Sequence, residues 1–198
     1  ASKDASAVKG TNVGDISLTS VSASSSGGGK ASAFDISGNA GNINVSQIKG
    51  DMNLAGETAG IDSDKIEGSI SANKVASVNV SEVTGNVAIS ESSGDVKINS
   101  VGGDFTDLNA SGNVTIESAQ NVNVNLTEGR LNAGTVAENS TVNGVGNAQI
   151  DSTGSLTVDN LSGDITVGTT GKADIANLDG NANIGQNTDS VNVSGAIS

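Results

Sequence analysis

Residues 85–120 read GNVAISESS, GDVKINSVG, GDFTDLNAS and GNVTIESAQ, four nonapeptides in succession, each opening on glycine. Set in register they follow one formula, G-[D/N]-V/I-x-V/I-x-x-V/L/A-x. Apolar residues at the third and fifth places with polar residues between them have a period of two. That is the mark of a short strand with one buried face. Pairs such as Val87/Ile89, Val96/Ile98 and Val114/Ile116 point inward on this reading. The leading glycine suits a turn that needs positive φ. Dense Gly, Asn, Thr and Val disfavour a helix.

The formula extends outward from this stretch. Upstream stand GNINVSQIK (41–49) and an isolated copy, GDISLTSVS (14–22). Downstream stand QNVNVNLTE (120–128), GSLTVDNLS (154–162), GDITVGTT (163–170), GKADIANLD (171–179) and GNANIGQNT (180–188). The eighth place alternates between polar or small and large apolar, as in Thr153, Leu161, Thr170, Leu178, and the alternation fails around Val136 and Val145. A superperiod of two copies follows, so the expected fold is all-β: a parallel β-solenoid (β-helix) of about nine-residue repeats, two per coil of about 17–18 residues. Identical segments repeating in phase place like above like, which a parallel stack satisfies more directly than an antiparallel meander. From Gly41 onward the length gives about nine coils and a stack of roughly 40 Å.

The expected organisation has two parts, the alternative being a continuous solenoid in which the Ser/Gly-rich stretch is a surface loop. Residues 1–33 hold one strand (14–22) and a Ser/Gly-rich tether, VSASSSGGGKASA (21–33); residues 34–198 form the array. Composition agrees with a thin repeat fold. The 198 residues include 27 Gly but no Pro, Cys, His, Trp or Tyr, and only Phe34 and Phe105 as aromatics. Absence of Pro fits a chain whose backbone N–H groups donate to a ladder. A narrow core has no room for many aromatic rings, and the two Phe mark a widened coil or an end plug.

Charge and residue types exclude several functions. The net charge is −13, with 9 basic against 22 acidic residues. No basic patch exists for nucleic acid or an anionic membrane, and no apolar run reaches the ~20 residues of a membrane span. Without His or Cys, the usual nucleophile–base pairs and soft-metal sites are missing. The carboxylates Asp62, Asp64, Glu67, Glu91, Asp95, Asp104 and Asp107 read as a solvated surface, so no catalytic residue, cofactor or metal site is assigned and the chain is expected not to be an enzyme. Second-place aspartates recur at Asp15, Asp51, Asp95, Asp104 and Asp164 but alternate with Asn and Ser. The full calcium-roll motif G-G-x-G-x-D-x-U-x is not met, so at most weak surface binding of calcium is expected. Asn-x-Ser/Thr triplets at Asn44, Asn79, Asn109, Asn113, Asn125, Asn139, Asn160 and Asn192 are glycosylation acceptors by pattern, and also what this composition yields by chance.

Runs such as VGGDFTDLNASGNVTIES and NLSGDITVGTTGKADIANLDGNANIG resemble the adhesin-type parallel β-solenoids of bacterial and archaeal surfaces. The Asn/Gly/Ser-rich, Pro-free composition is similar to that of curli-like extracellular functional-amyloid subunits, without their Ser/Gln/Asn spacing. Bactofilins share the coil size but are more apolar. The resemblance implies an extracellular or cell-surface protein, secreted after removal of a signal peptide. The expected role is a structural subunit that assembles with itself, head to tail, into a filament, sheath or biofilm matrix. A monomeric adhesin or stalk is the alternative. The proposed assembly strand carries Ile16, Leu18 and Val21, and the proposed open edge carries Val191, Val193 and Ile197.

Overall fold

A computed structural model describes residues 8–23 and 31–194. Its strands are β1 (Val8–Gly10), β2 (Ile16–Ser22), β3 (Ser32–Ile36), β4 (Ala40–Lys49), β5 (Asp51–Glu67), β6 (Ile70–Val75), β7 (Val78–Val83) and β8 (Val87–Ser92). They continue with β9 (Val96–Val101), β10 (Phe105–Ala110), β11 (Val114–Ala119), β12 (Val122–Leu126), β13 (Arg130–Val145), β14 (Asn147–Ser162), β15 (Ile165–Asp179) and β16 (Ala182–Val193). Every strand pairing is parallel. The chain is a parallel β-solenoid.

Partners lie one coil apart. Met52 faces Ile70, Ile70 faces Val87, and Val87 faces Phe105 along one stack, here face A. Ile61 faces Val78, Val78 faces Val96, and Val96 faces Val114 along the other, face B. The steps are 17 or 18 residues, so consecutive nonapeptides alternate between the two faces. That alternation is the physical origin of the two-copy superperiod. The eighth-place residues Val83, Val101 and Ala119 belong to face B, while Val75, Ser92 and Ala110 belong to face A; all are buried. The long strands β5 and β13 to β16 carry a rung of both faces, with register shifts between Val136 and Asn139 and between Thr170 and Lys172 where the faces join.

Inward residues form one continuous aliphatic core from Val21 to Leu178. Repeats within the array bury their third, fifth and eighth residues, as in Val78, Val80 and Val83. Phe34 and Phe105 sit in ordinary first inward positions of face A and are fully buried, Phe105 between Val87 and Val122. Neither ring plugs an end. The alternation fails at Val145 because the register shifts between Thr141 and Gly144. Gly144 takes the place that Leu126 and Leu161 hold in the rungs on either side, and Val145 turns outward, 55% exposed.

Glycine at the repeat start has a different main cause from the one expected. Gly112 has no positive φ, yet a Cβ there would stand 2.3 Å from the Gly94 carbonyl carbon of the preceding coil. A Cβ here points into the backbone of the preceding coil, so side chains are excluded. Later in the array both reasons apply: Gly163 has φ +145 and a Cβ would meet the Gly146 oxygen at 2.1 Å.

The strand expected to be detached is placed on the array. β2 pairs with β4, Ile16 with Ile43, Leu18 with Val45 and Val21 with Ile48, and β1 pairs with β3. Residues 8–22 therefore continue the solenoid rather than form a separate unit. The step from Ile16 to Ile43 is 27 residues, against 18 from Ile43 to Ile61. The surplus falls in the Ser/Gly-rich stretch, of which residues 24–30 lie outside the described residues.

Candidate assembly surfaces and polar ladders

The second-place Asp and Asn residues form two columns at the coil corners. On the face B corner, Asp95 Oδ1 accepts from the Asn113 backbone N–H at 2.9 Å and from its side-chain amide at 3.1 Å. Asp164 Oδ1 does the same for Asn181, both at 2.9 Å. These donations hold the Asp164 carboxyl below its ordinary range, the backbone N–H contributing most. On the face A corner the chain of acceptors runs Asp51, Ser69, Asn86, each taking the backbone N–H of the residue one coil further on. Asp, Asn and Ser are interchangeable here because each offers an oxygen to an N–H that turns away from the sheet. This explains why the carboxylates alternate with neutral residues. Among the described residues no three carboxylates converge as a metal site.

Three asparagines of the glycosylation triplets bond between coils. Asn113, Asn125 and Asn109 donate through Nδ2 to Asp95, to the Leu108 carbonyl and to the Ser90 carbonyl. The nitrogen that would carry a glycan is thus already used between coils. Ion pairs also run along the columns: Lys74 lies 3.4 Å from Glu57 and 3.2 Å from Glu91, one coil to each side. These two carboxylates, Glu91 first, raise the exposed Lys74 ammonium above its ordinary value.

Asp107 departs from the expected solvated surface. It is completely buried at the inward fifth place of its repeat, between Ile89 and Val124 of the adjoining rungs. Ser92 Oγ donates to its Oδ2 at 2.5 Å, and the Asn109 backbone N–H reaches Oδ1 at 3.3 Å. Burial pushes the carboxyl above its ordinary range, and the two hydrogen bonds oppose the shift without overcoming it. The signal was present in the sequence, since GDFTDLNAS sets Asp where every neighbouring repeat sets Ile or Val. One buried carboxylate beside a serine, with no histidine in the chain, lacks the base and the open cleft that nucleophilic chemistry needs.

The proposed assembly residues lie at the two limits of the described stack. Leu18 is 47% exposed on β2, Ile16 is partly buried and Val21 is buried. Val191 and Val193 on β16 are 50% and 44% exposed, whereas Ala173 and Ile175, their partners one coil earlier, are buried. Ile197 lies outside the described residues. Of the described strands, β2 pairs with β4 alone and β16 with β15 alone. No family model, curated protein or solved structure matches the chain. Among the described residues no helix is long and apolar enough to cross a membrane.

Proposed function

We propose that the chain is an extracellular structural protein whose coils stack end to end into a filament, sheath or biofilm matrix. The observation that carries this reading is the edge of β16, which pairs with β15 alone among the described strands and where Val191 and Val193 stand half exposed. Such an edge is a template for another strand. The columns running through the molecule set the match: Val191 continues the column of Val8, and Ile184 that of Leu18. A head-to-tail contact between two different edges does not close on itself and therefore propagates.

The pairing of β2 with β4 favours stacking of whole coils over donation of a free strand. Purified protein viewed by negative-stain microscopy should form long regular fibres. Val191→Lys with Val193→Lys should leave the β-sheet circular dichroism intact and give short dispersed rods, because charge on an edge strand blocks pairing. Fibres that persist in the double variant would refute the joint. Dispersed rods from the unaltered chain would favour the second reading, a monomeric adhesin or stalk. The open groove lined by Asn143, Val145, Asp159 and Asn177 supports that reading as a place for a polar ligand.

A further inference from the structure

The two faces of the solenoid differ in charge over the same height. On face A the outward column from Asn53 to Thr157 spans seven rungs and runs through Ser71, Ala88 and Thr106. Neither this column nor the one beside it, from Ala55 to Asn143, holds a charged residue. On face B the corresponding rungs carry Asp62, Asp64, Lys97, Glu117 and Asp151. Asp35 and Asp174 bound the first column and Asp159 ends the second, so the neutral strip covers the middle of face A. Leu108, 49% exposed, is the one large apolar side chain in these columns and stands in the middle rung of the seven.

We propose that face A is a lateral contact surface for a second copy of this chain, packed face to face about the Leu108 rung. Copies of like charge repel wherever their carboxylates are brought together, and the two central columns of face A are where they can close without opposing charges of one sign. The small Ser, Ala and Thr side chains let two sheets approach. The Glu57–Lys74–Glu91 column, net negative by one charge, flanks the lower rungs on one side, and the corner aspartates Asp51 and Asp104 flank the strip on the other. A two-fold axis through the middle rung brings Leu108 of each copy against the other's, an isologous arrangement. Other occupants fit less well: a glycan-binding sheet would present aromatic rings for stacking, and this one presents none.

The neutral strip is two side chains wide, roughly 29 Å long in its first column, of seven rungs, and roughly 24 Å in its second, of six. That is well below the ~800 Å² per partner of a stable dimer. The contact is therefore weak between single copies and strengthens when copies already joined end to end lie side by side. It goes beyond the end-to-end reading and does not require it.

The chain has no cysteine, so one introduced thiol reports on one place. Ser90→Cys, in the Leu108 column one rung away, and Ser81→Cys, exposed on face B, are treated with a short bis-maleimide in dispersed, concentrated solution. Ser90→Cys should give about tenfold more covalent dimer than Ser81→Cys, as expected for one recurring orientation rather than chance collision. Adding Leu108→Asp to Ser90→Cys should bring the yield down to the Ser81→Cys level, with melting temperature unchanged because residue 108 is exposed. Equal yields at the two sites, or a yield at Ser90 that ignores Leu108→Asp, would overturn the proposal. Neither readout depends on fibres, so failure of the end-to-end joint leaves it intact.

Discussion

The Ser92 hydroxyl donates to the Asp107 carboxylate at 2.5 Å, both side chains lying fully buried in the aliphatic core on adjoining rungs of face A. Burial raises the Asp107 carboxyl above 3.8, its ordinary value. Between the two values the folded chain keeps a proton that the unfolded chain has lost. The stabilisation from this group is thus greatest on the acid side and is lost as pH rises through the folded value. Asp107→Asn removes the charge while its amide can donate to the Ser92 oxygen. Its melting temperature should exceed that of the unaltered chain at neutral pH and converge with it in acid. Asp164 and Asp174 titrate in the opposite sense, but they are common to both proteins and cancel in the difference. Parallel melting curves across pH 3–8 would show that Asp107 is not the titrating group.

Removing only the serine should do the reverse. Ser92→Ala leaves a buried carboxylate oxygen without its donor and should cost about 1–3 kcal/mol. Ser92→Ala combined with Asp107→Val removes both partners and should be close to neutral. A double-mutant cycle in urea measures the coupling; a coupling of zero would mean that the short contact contributes nothing.

An aspartate elsewhere in the core has no such donor. Val96 and Ile116 are buried, and Val96 stacks between Val78 and Val114. Val96→Asp or Ile116→Asp should cost at least ~3–5 kcal/mol, the size expected for an uncompensated buried charge, and abolish the β-sheet signal. Lys97→Asp and Thr115→Ala, outward on the same strands, should be mild. Equal tolerance by circular dichroism at the two kinds of site would put the strand register in error.

The sequence formula contains most of this fold, and particular residues show where it stops. Val96/Ile98 and Val114/Ile116 declare an inward face because a period of two has one physical reading. The alternation of Leu161 with Thr170 declares two faces because neighbouring repeats occupy different sides of one coil. Asp107 was misplaced because its residue type argued for solvent more strongly than its register argued for the core. The placement of Ile16 to Val21 was hidden by the Ser/Gly-rich stretch, which breaks the period without breaking the stack. The neutrality of face A could not be seen until every second repeat was assigned to the same side. The edge residues Val191 and Val193 fit the repeat but look like any other inward pair; only the stack shows that nothing among the described residues covers them.

Thr58 is the one described buried side chain whose polar atom has no hydrogen-bond partner. It stacks on Val75 in the face A core. Thr58→Val keeps the shape and removes a desolvated hydroxyl, so it should stabilise the chain by about 1 kcal/mol, read as a higher urea midpoint with an unchanged slope. A loss of stability would mean that the hydroxyl is satisfied in solution.

Calcium is the last question that the corner columns address. A structural calcium roll draws its ligands from repeated turn aspartates, with six to eight oxygens around each ion. Here Asp95 and Asp164 each direct one oxygen to the backbone N–H and side-chain amide of the next coil. Asn147 serves the Asp164 N–H in the same column with a neutral oxygen, at 2.8 Å. A column that works equally well with Asn does not need a cation to neutralise it. Chelator should therefore leave the β-sheet signal and the melting temperature unchanged, and millimolar calcium should raise the latter only slightly through diffuse attraction to the net negative charge. Asp95→Asn should be as stable as the unaltered chain, since its Oδ1 still accepts from Asn113, whereas Asp95→Ala should lose about 1 kcal/mol with that acceptor. Collapse to random coil on adding chelator, or a large loss of stability in Asp95→Asn, would replace the hydrogen-bonded columns with a calcium-held stack.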